Sequence, residues 1–307
     1  MTSTREAFKF RMYQAGLETN EQIIADGRLH RFHVSGDRKG TKNGWYIFYS
    51  DFPAVGIFGC WKRRIWQKWQ PYKDSSLTTA DLRTVIERRK SIQVRHAKEF
   101  QAELDARREF AEIWQSAKPA TDKHEYLVNK GVRSHGLQYY RGALLIPVTD
   151  ADGNFHGLQR IWPNGSKGFY KGTITSGHFF IVGEQISATI LICEGYSTGA
   201  TLHELTGHTV IVSFGSGNLR SVAVVVRAAW PNSRIIICAD DDHNVPGNPG
   251  LTAAVEASST IAAEMVVPLF PGYRGASDSD FNDLFRLAGA TVVLEFLRDI
   301  GGHHVNV

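Results

Sequence analysis

An α/β fold built on a parallel sheet is predicted for the C-terminal part of this 307-residue sequence, and two observations predict it. After Ser187, short apolar runs alternate with helix-length segments. Thr189-Ile-Leu-Ile-Cys193, Thr209-Val-Ile-Val-Ser213, Arg234-Ile-Ile-Ile-Cys238 and Met265-Val-Val-Pro-Leu269 read as strands, with helices over about 197–206, 218–229 and 250–264. That alternation implies crossover connections and therefore parallel strands. The runs are also apolar throughout rather than at every second residue, as expected of strands covered by helices on both faces.

Upstream, the pattern divides the chain into three more segments. Residues 1–75 are rich in glycine and aromatics. Gly27–Val34, Gly44–Tyr49 and Ala54–Trp61, separated by Asp-Arg-Lys-Gly and Asp-Phe-Pro, predict a small antiparallel sheet. Residues 76–118 lose glycine and take on a charged helical pattern, starting around Leu77–Asp81 and stopped by Pro119, which reads as a connecting helix or helix pair. Residues 119–186 contain a hairpin: Leu144–Val148, the turn Asp150–Asn154, and the return strand Phe155–Trp162. Residues 187–307 hold the alternating α/β pattern.

Composition excludes several classes of protein. A chain with 42% hydrophobic and 21% charged residues and seven tryptophans folds rather than staying disordered. No run approaches the roughly 18 apolar residues that span a bilayer, and the N-terminus lacks a signal-peptide core, so a cytoplasmic protein without a membrane partner is expected. Cys60, Cys193 and Cys238, odd in number and set in apolar sequence, are expected as buried free thiols. Charge is unevenly spread. Residues 1–75 carry 13 Lys+Arg against 7 Asp+Glu, whereas residues 186–307 carry 6 Arg, no Lys and 12 acidic residues. A basic front half suits a polyanion and an acidic back half suits a cation.

Ligands of open parallel sheets gather beyond the carboxyl ends of the strands. Here those ends read Glu194-Gly195, Gly215-Ser-Gly-Asn218 and Asp240-Asp-Asp242, followed later by Asp278-Ser-Asp-Phe-Asn-Asp283. If extended geometry persists past Cys238, Asp240 and Asp242 point to one side. Carboxylates so close repel unless a cation neutralises them, and an oxygen-only set favours Mg²⁺ or Mn²⁺ over zinc. A helix cap or turn is the competing reading of the three aspartates.

Taken together, an apolar strand ending in Glu-Gly, one ending in Asp-x-Asp and a late Asp-Phe-Asn-Asp resemble the TOPRIM domain. The details are similar to DnaG-type primases of phages, plasmids and other mobile elements. Val210–Asn218 resembles the primase second strand with its glycine turn, and Asp280–Leu284 the late acidic element; the resemblance covers about residues 187–290. It extends to Leu144–Trp162 and Gly165–Lys171, which look like the basic subdomain preceding TOPRIM. The resemblance implies that Glu194 is the catalytic carboxylate, that Asp240, Asp242 and Asp280 hold Mg²⁺ or Mn²⁺, and that Arg160, Lys167 and Lys171 meet template or nucleotide phosphates. It also sets Asn218 among the nucleic-acid contacts. Asn282 stands where cellular primases tend to have a second aspartate, which makes Asp283 a substitute ligand and leaves the number of metals open.

The front segment resembles, more weakly, the zinc-bearing template-recognition module of such primases. His30, His33 and Cys60 without a Cys-x-x-Cys pair form a poor zinc site, so zinc is not expected. Trp45, Tyr46, Trp61, Trp66 and Trp69, interleaved with Lys62, Arg63, Arg64 and Lys68, instead suit single-stranded DNA, with bases on rings and phosphates on cations. The rival reading makes about half of these rings core. No Walker A sequence occurs, so no helicase motor is expected within these residues, and a separate replicative helicase is the expected partner. The expected function is primer synthesis from ribonucleoside triphosphates on single-stranded DNA. A TOPRIM nuclease and a catalytically silent DNA-binding module are the alternatives.

Overall fold

In this computed structural model, which describes residues 3–38, 41–51, 53–71, 79–272 and 274–299, the first element is a helix that precedes the glycine-rich stretch. The Ser3 hydroxyl accepts the Glu6 amide while the Glu6 carboxylate accepts the Ser3 amide, a capping box that starts α1 (Thr4–Gln14). One turn apart on its inner face, Phe8 and Met12 are wholly buried, and Phe8 stacks on Phe48 at 4.4 Å. Residues 1–75 are therefore not β structure alone.

The surface beneath α1 is an antiparallel sheet of β1 (His30–Phe32), β2 (Gly44–Tyr49), β3 (Val55–Cys60) and β4 (Ile65–Trp69), in that order. Phe32, Tyr46, Phe48, Phe58 and Cys60 face the core beneath the helix. Burial alternates along β2, so Trp45 and Ile47 belong to the opposite face. The residues predicted to start the helical segment, 76–78, lie outside the described residues. So do the 75/76 boundary, residues 39–40 and 52 of the predicted turns, and 300–307. The helix itself is single: α2 runs from Thr79 to Ser116. By its packing the chain divides into two units, residues 1–100 and 101–307.

In the second unit, β5 (Lys118–Pro119) and α3 (Glu125–Lys130) precede β6 (Gln138–Tyr140), β7 (Ala143–Thr149), β8 (Phe155–Ile161) and β9 (Lys167–Phe169). These strands form an antiparallel sheet in the order β5-β6-β7-β8-β9, with β7 and β8 as the predicted hairpin. Lys167 is the first residue of β9.

A third sheet carries the α/β pattern. Its strands are β10 (Phe180–Val182), β11 (Thr189–Cys193), β12 (Thr209–Val212), β13 (Arg234–Cys238) and β14 (Glu264–Val266), in the order β10-β12-β11-β13-β14. Four strands are parallel, as predicted. The edge strand β10, which the sequence reading left in the preceding segment, runs antiparallel to β12. The helices are α4 (Tyr196–Thr206), α5 (Ser216–Ala229), α6 (Pro249–Ile261), α7 (Phe281–Ala288) and α8 (Ala290–Asp299). Leu191, Cys193, Val210 and Ile236 pack with α4, α7 and α8, while their neighbours Ile190, Ile192, Ile211 and Ile235 pack with α5 and α6. Strands clothed on both faces have no room for polar residues along their length, so chemistry is confined to their ends. Among the described residues no helix is long and apolar enough to cross a membrane.

At Gly56 the sheet lies close under α1, because a Cβ there would fall 2.3 Å from Cε2 of Phe8. Gly56→Ala is expected to destabilise the first unit by about 1–3 kcal/mol, as overpacking does. Chemical denaturation followed by tryptophan fluorescence measures it.

Candidate active site

Because β11 and β13 are neighbours in parallel register, the residues after Cys193 and Cys238 emerge at one rim. Glu194 leaves β11 and Asp240 leaves β13. Asp280 is brought to the same acidic group by capping α7: it accepts the Asp283 amide at 2.9 Å and the Thr198 hydroxyl at 2.8 Å. At the end of β12, Phe214 and Gly215 take positive φ values of 67° and 135°, the second open only to glycine. That turn aims the first amide of α5, on Ser216, at Glu194. From the neighbouring sheet, Lys167 reaches the turn after β11, where a Cβ on Gly195 would sit 3.9 Å from its Nζ.

The electrostatics of the group are unfavourable as it stands. Burial, then Asp242 and Asp280, push the Glu194 carboxyl up to about 7. Burial, then Glu194, Asp280 and Asp242, push Asp240 well above the carboxylate range, with Lys167 opposing. Asp280 is raised by burial and by Asp283. Burial lowers Lys167, while Asp280 and Asp240 favour its charged form. Glu194 Oε1 and Asp240 Oδ1 are buried without a hydrogen-bond partner. Two orphaned acceptor oxygens in a mutually repelling acidic group fit a hard divalent cation, which binds one or two carboxylates and completes its shell with water and phosphate. Among the described residues, no three His, Cys, Asp or Glu side chains are gathered into a ready-made ligand set.

Several residues singled out in the sequence have other tasks. Asp283 is a capping residue and not an open ligand. Its carboxylate accepts the Ser279 amide at 3.1 Å, closes the capping box with Asp280, and lies 3.4 Å from Lys130 Nζ. Asp242 accepts the Gly250 amide at 2.9 Å, which ties it to the start of α6. Asn218 is buried and pins three loops: its Oδ1 accepts the Gly177 amide, and its Nδ2 donates to the carbonyls of His178 and Ser213. Its amide is spent on those three bonds, and the residue is 9% exposed. Arg160 is displaced for a reason of register. It pairs with Gly168, and the next residue, Ile161, pairs with Lys167, so Arg160 and Lys167 occupy opposite faces of the sheet. Arg160 instead lies between the rings of Trp162 and Tyr170, 4.9 and 4.4 Å from their centroids. Lys171 is exposed beyond the end of β9.

Sequence reasoning missed Lys130 and Arg274. Lys130, from α3, brings a cation to the Asp280–Asp283 cap; a single lysine in a short helix gives no signal of it. Arg274 binds Asp241 at 2.6 Å and also bonds the Asp241 and Asp278 carbonyls, clasping the loop after β13 to the late acidic element. Together with Asn248, it holds Asp241 below the usual carboxylate range in spite of burial.

On the outer face of the first unit's sheet, one register row reads Arg31, Trp45, Gly59, Trp66. A Cβ on Gly59 would strike the Trp45 ring at 2.8 Å, so glycine lets that indole lie across β3. Trp66 and Trp61 are 61% and 47% exposed, and the Arg31 guanidinium lies 4.9 Å above Trp61. Arg64 and Lys68 are exposed. Lys62 and Arg63 are partly engaged, with Asp37 at 3.0 and 3.9 Å, and Arg63 also donates to the Gly16 carbonyl. Tyr46 and Trp69 belong to the inner face: Tyr46 is in the core, and Trp69 packs edge-on to Phe8 and Phe48. His30 is bonded to Asp26, His33 to the Thr41 carbonyl, and Cys60 is buried.

Residues 189–291 match the family model of the Toprim domain. Two relatives from Escherichia coli, both named DNA primase TraC, are similar over most of this chain. One is 34% identical over 82% of this chain and 25% of its own length, the other 30% identical over 87% and 20%. The chain thus spans a quarter or less of either relative. Among solved structures, the primase fragment of the bacteriophage T7 primase-helicase protein is 14% identical over 59% of this chain and 79% of that one, with a TM-score of 0.44.

Because the Glu194 carboxyl is raised from 4.5 to about 7, its contribution to stability is complete below about pH 4.5 and is lost as pH rises through about 7. Metal-free protein is expected to lose thermal stability across that window. Glu194→Gln should flatten the loss and raise Tm by roughly 2–5 °C above the window. Millimolar Mg²⁺ should restore the wild-type midpoint there and raise the variant's by less, as read by calorimetry in EDTA and in Mg²⁺.

Proposed function

Residues 189–291 are a Toprim domain, and from that premise we propose that this chain is the catalytic portion of a DNA primase of the plasmid and phage kind. It would join ribonucleotides into short primers on single-stranded DNA. The observation that carries the reading is the pair of orphaned oxygens on Glu194 and Asp240 at the sheet rim, faced by Lys167.

Mg²⁺ or Mn²⁺, held by Asp240 with Asp242 and Asp280 around it, would supply charge compensation for the phosphates of a nucleoside triphosphate. In the reaction the 3′-hydroxyl of one ribonucleotide attacks the α-phosphate of the next and pyrophosphate leaves. Glu194, kept basic by burial and by its acidic neighbours, takes the proton from the attacking hydroxyl. Lys167 binds phosphate oxygens and offsets their charge, and Lys130 and Arg274 hold the acidic loops in place. The exposed rings of Trp61 and Trp66 and the half-buried ring of Trp45, with Arg31, Arg64 and Lys68, stack and neutralise single-stranded template. A separate replicative helicase is the expected supplier of that template, in the cytoplasm. The four segments 1–75, 76–118, 119–186 and 187–307 then correspond to template binding, linker, basic subdomain and catalytic domain.

Incubation of the protein with mixed-sequence single-stranded DNA, four ribonucleoside triphosphates and Mg²⁺ should give short labelled oligomers. Asp240→Asn and Lys167→Ala should each lower the yield by roughly 10²-fold or more. Shortening of the template without oligomers would favour a nuclease, and salt-sensitive binding without turnover would favour a silent binding module. Trp66→Ala should weaken binding of an oligothymidylate by about 1–3 kcal/mol with an unchanged Tm, as measured by anisotropy and thermal melting.

A further inference from the structure

The loop 174–179, between β9 and β10, carries one member of a stacked pair of histidines. The imidazole of His178 lies flat on that of His156 in β8, with centroids 3.6 Å apart and planes 16° from parallel. We propose that His178 is a positioning residue for the rim: its stack on His156 holds the loop against Asn218, which keeps the Ser216 amide aimed at Glu194, and a proton on the pair releases that hold. The inference rests on the primase reading only for the role of Glu194, and the latch itself does not depend on it.

Hydrogen bonds assign one proton to each ring. His156 is buried, with Nε2 3.0 Å from Asp150 Oδ2 and Nδ1 3.1 Å from Nη2 of Arg107 in α2. A guanidinium only donates, so Nδ1 accepts and the proton is on Nε2. His178 donates from Nδ1 to the Ile174 carbonyl at 3.0 Å. Both rings are thus neutral as bonded. A second proton on His156 would set an N–H against Arg107, and one on the half-buried His178 would set a cation flat on the ring that Arg107 already binds. The other charged groups of the elements packed here are Asp150 of the hairpin turn and Glu103 of α2, which binds Arg107 at 2.6 Å. Burial and then His156 lower the His178 ring from its ordinary 6.5, with Arg107 acting in the same sense and the Ile174 carbonyl and Asp150 opposing. The neutral ring's contribution to stability is therefore complete above about pH 6.5 and is lost as pH falls below it.

The backbone of the same loop carries the effect to the rim. One end is pinned to the middle sheet, where the Ile174 amide donates to the His156 carbonyl at 2.9 Å. At the other end the Gly177 amide donates to Asn218 Oδ1 at 2.8 Å, and the His178 carbonyl accepts from Asn218 Nδ2 at 3.0 Å. That Nδ2 also donates to the Ser213 carbonyl at 2.8 Å, and the Asn218 amide to the Gly215 carbonyl at 3.1 Å. Asn218 therefore closes the turn in which Phe214 and Gly215 have positive φ. No side chain caps α5, so this closure is what fixes its first residue, Ser216, whose amide bonds Glu194.

The first test uses the full chain carrying Glu194→Gln in EDTA, so that metal is absent and Glu194 does not titrate. As pH is lowered, NMR is expected to show the Ser216 backbone amide and the Asn218 side-chain amide moving with the His178 ring protons, at one shared midpoint below 6.5. His178→Asn keeps a donor where Nδ1 stands but neither stacks nor titrates, and it should lose that step at both amides. Arg107→Gln removes the neighbouring cation and should raise the ring and amide midpoints together. Amides that move at another midpoint, that keep the step in His178→Asn, or that stay put while Arg107→Gln moves the ring would overturn the proposal. In primer synthesis by the chain with Glu194 intact, log kcat at the acid end should fall with a slope approaching about 2 per pH unit, and of about 1 in His178→Asn, where Glu194 alone titrates. Equal slopes would overturn the positioning role. A chain that makes no primers at any pH fails the primase reading, and the amide test still decides the latch.

Discussion

Two carboxylate oxygens buried without partners, Glu194 Oε1 and Asp240 Oδ1, set the terms for the whole C-terminal unit. Desolvated carboxylates side by side are unstable as anions, and a chain that only had to fold would have no reason to place them there. The surrounding architecture keeps them together. Parallel pairing of β11 with β13 brings their ends level, and clothing of both strand faces leaves only the rim for polar groups.

Around the pair, bonds that look like ordinary loop closure act as fixings. Thr198 and the Asp283 amide hold Asp280, Arg274 and Asn248 hold Asp241, and the Gly250 amide holds Asp242. Asn282 donates to Thr201 and to the Lys130 carbonyl, joining α7 to α4 and α3. Residues that look interchangeable in the sequence Asp-Asp-Asp thus divide into three tasks: one orphaned carboxylate, one neutralised by arginine, one anchored to a helix start.

What could be read from sequence follows the range of the interactions involved. Buried strands are continuous apolar runs, and carboxylates set just past their ends stand out, so Glu194 and Asp240 were legible. The capping role of Asp283 was half legible, since a capping box and a ligand set both use closely spaced acids. The separation of Arg160 from Lys167 onto opposite faces was not legible because pairing register decides the face, and the offset between β8 and β9 depends on the turn joining them. The bonds of Asn218 were not legible because its partners lie 5 to 41 residues away in chain positions that no local pattern marks. The antiparallel edge β10 and the helix α1 went unseen for a similar reason: one is three residues long, the other lies in glycine-poor sequence beside a glycine-rich stretch.

All three cysteines are buried and unpaired, and burial raises the thiols of Cys193 and Cys238. Cys60 sits in the core under α1, while Cys193 and Cys238 end the two strands that carry the rim carboxylates. Each unit therefore contains its own chemical clock. A thiol reagent can act on Cys60 only when the first unit opens, and on Cys193 or Cys238 only when the strands beneath the acidic rim part. Labelling rates of the separate cysteines would time the two openings independently, without an added probe.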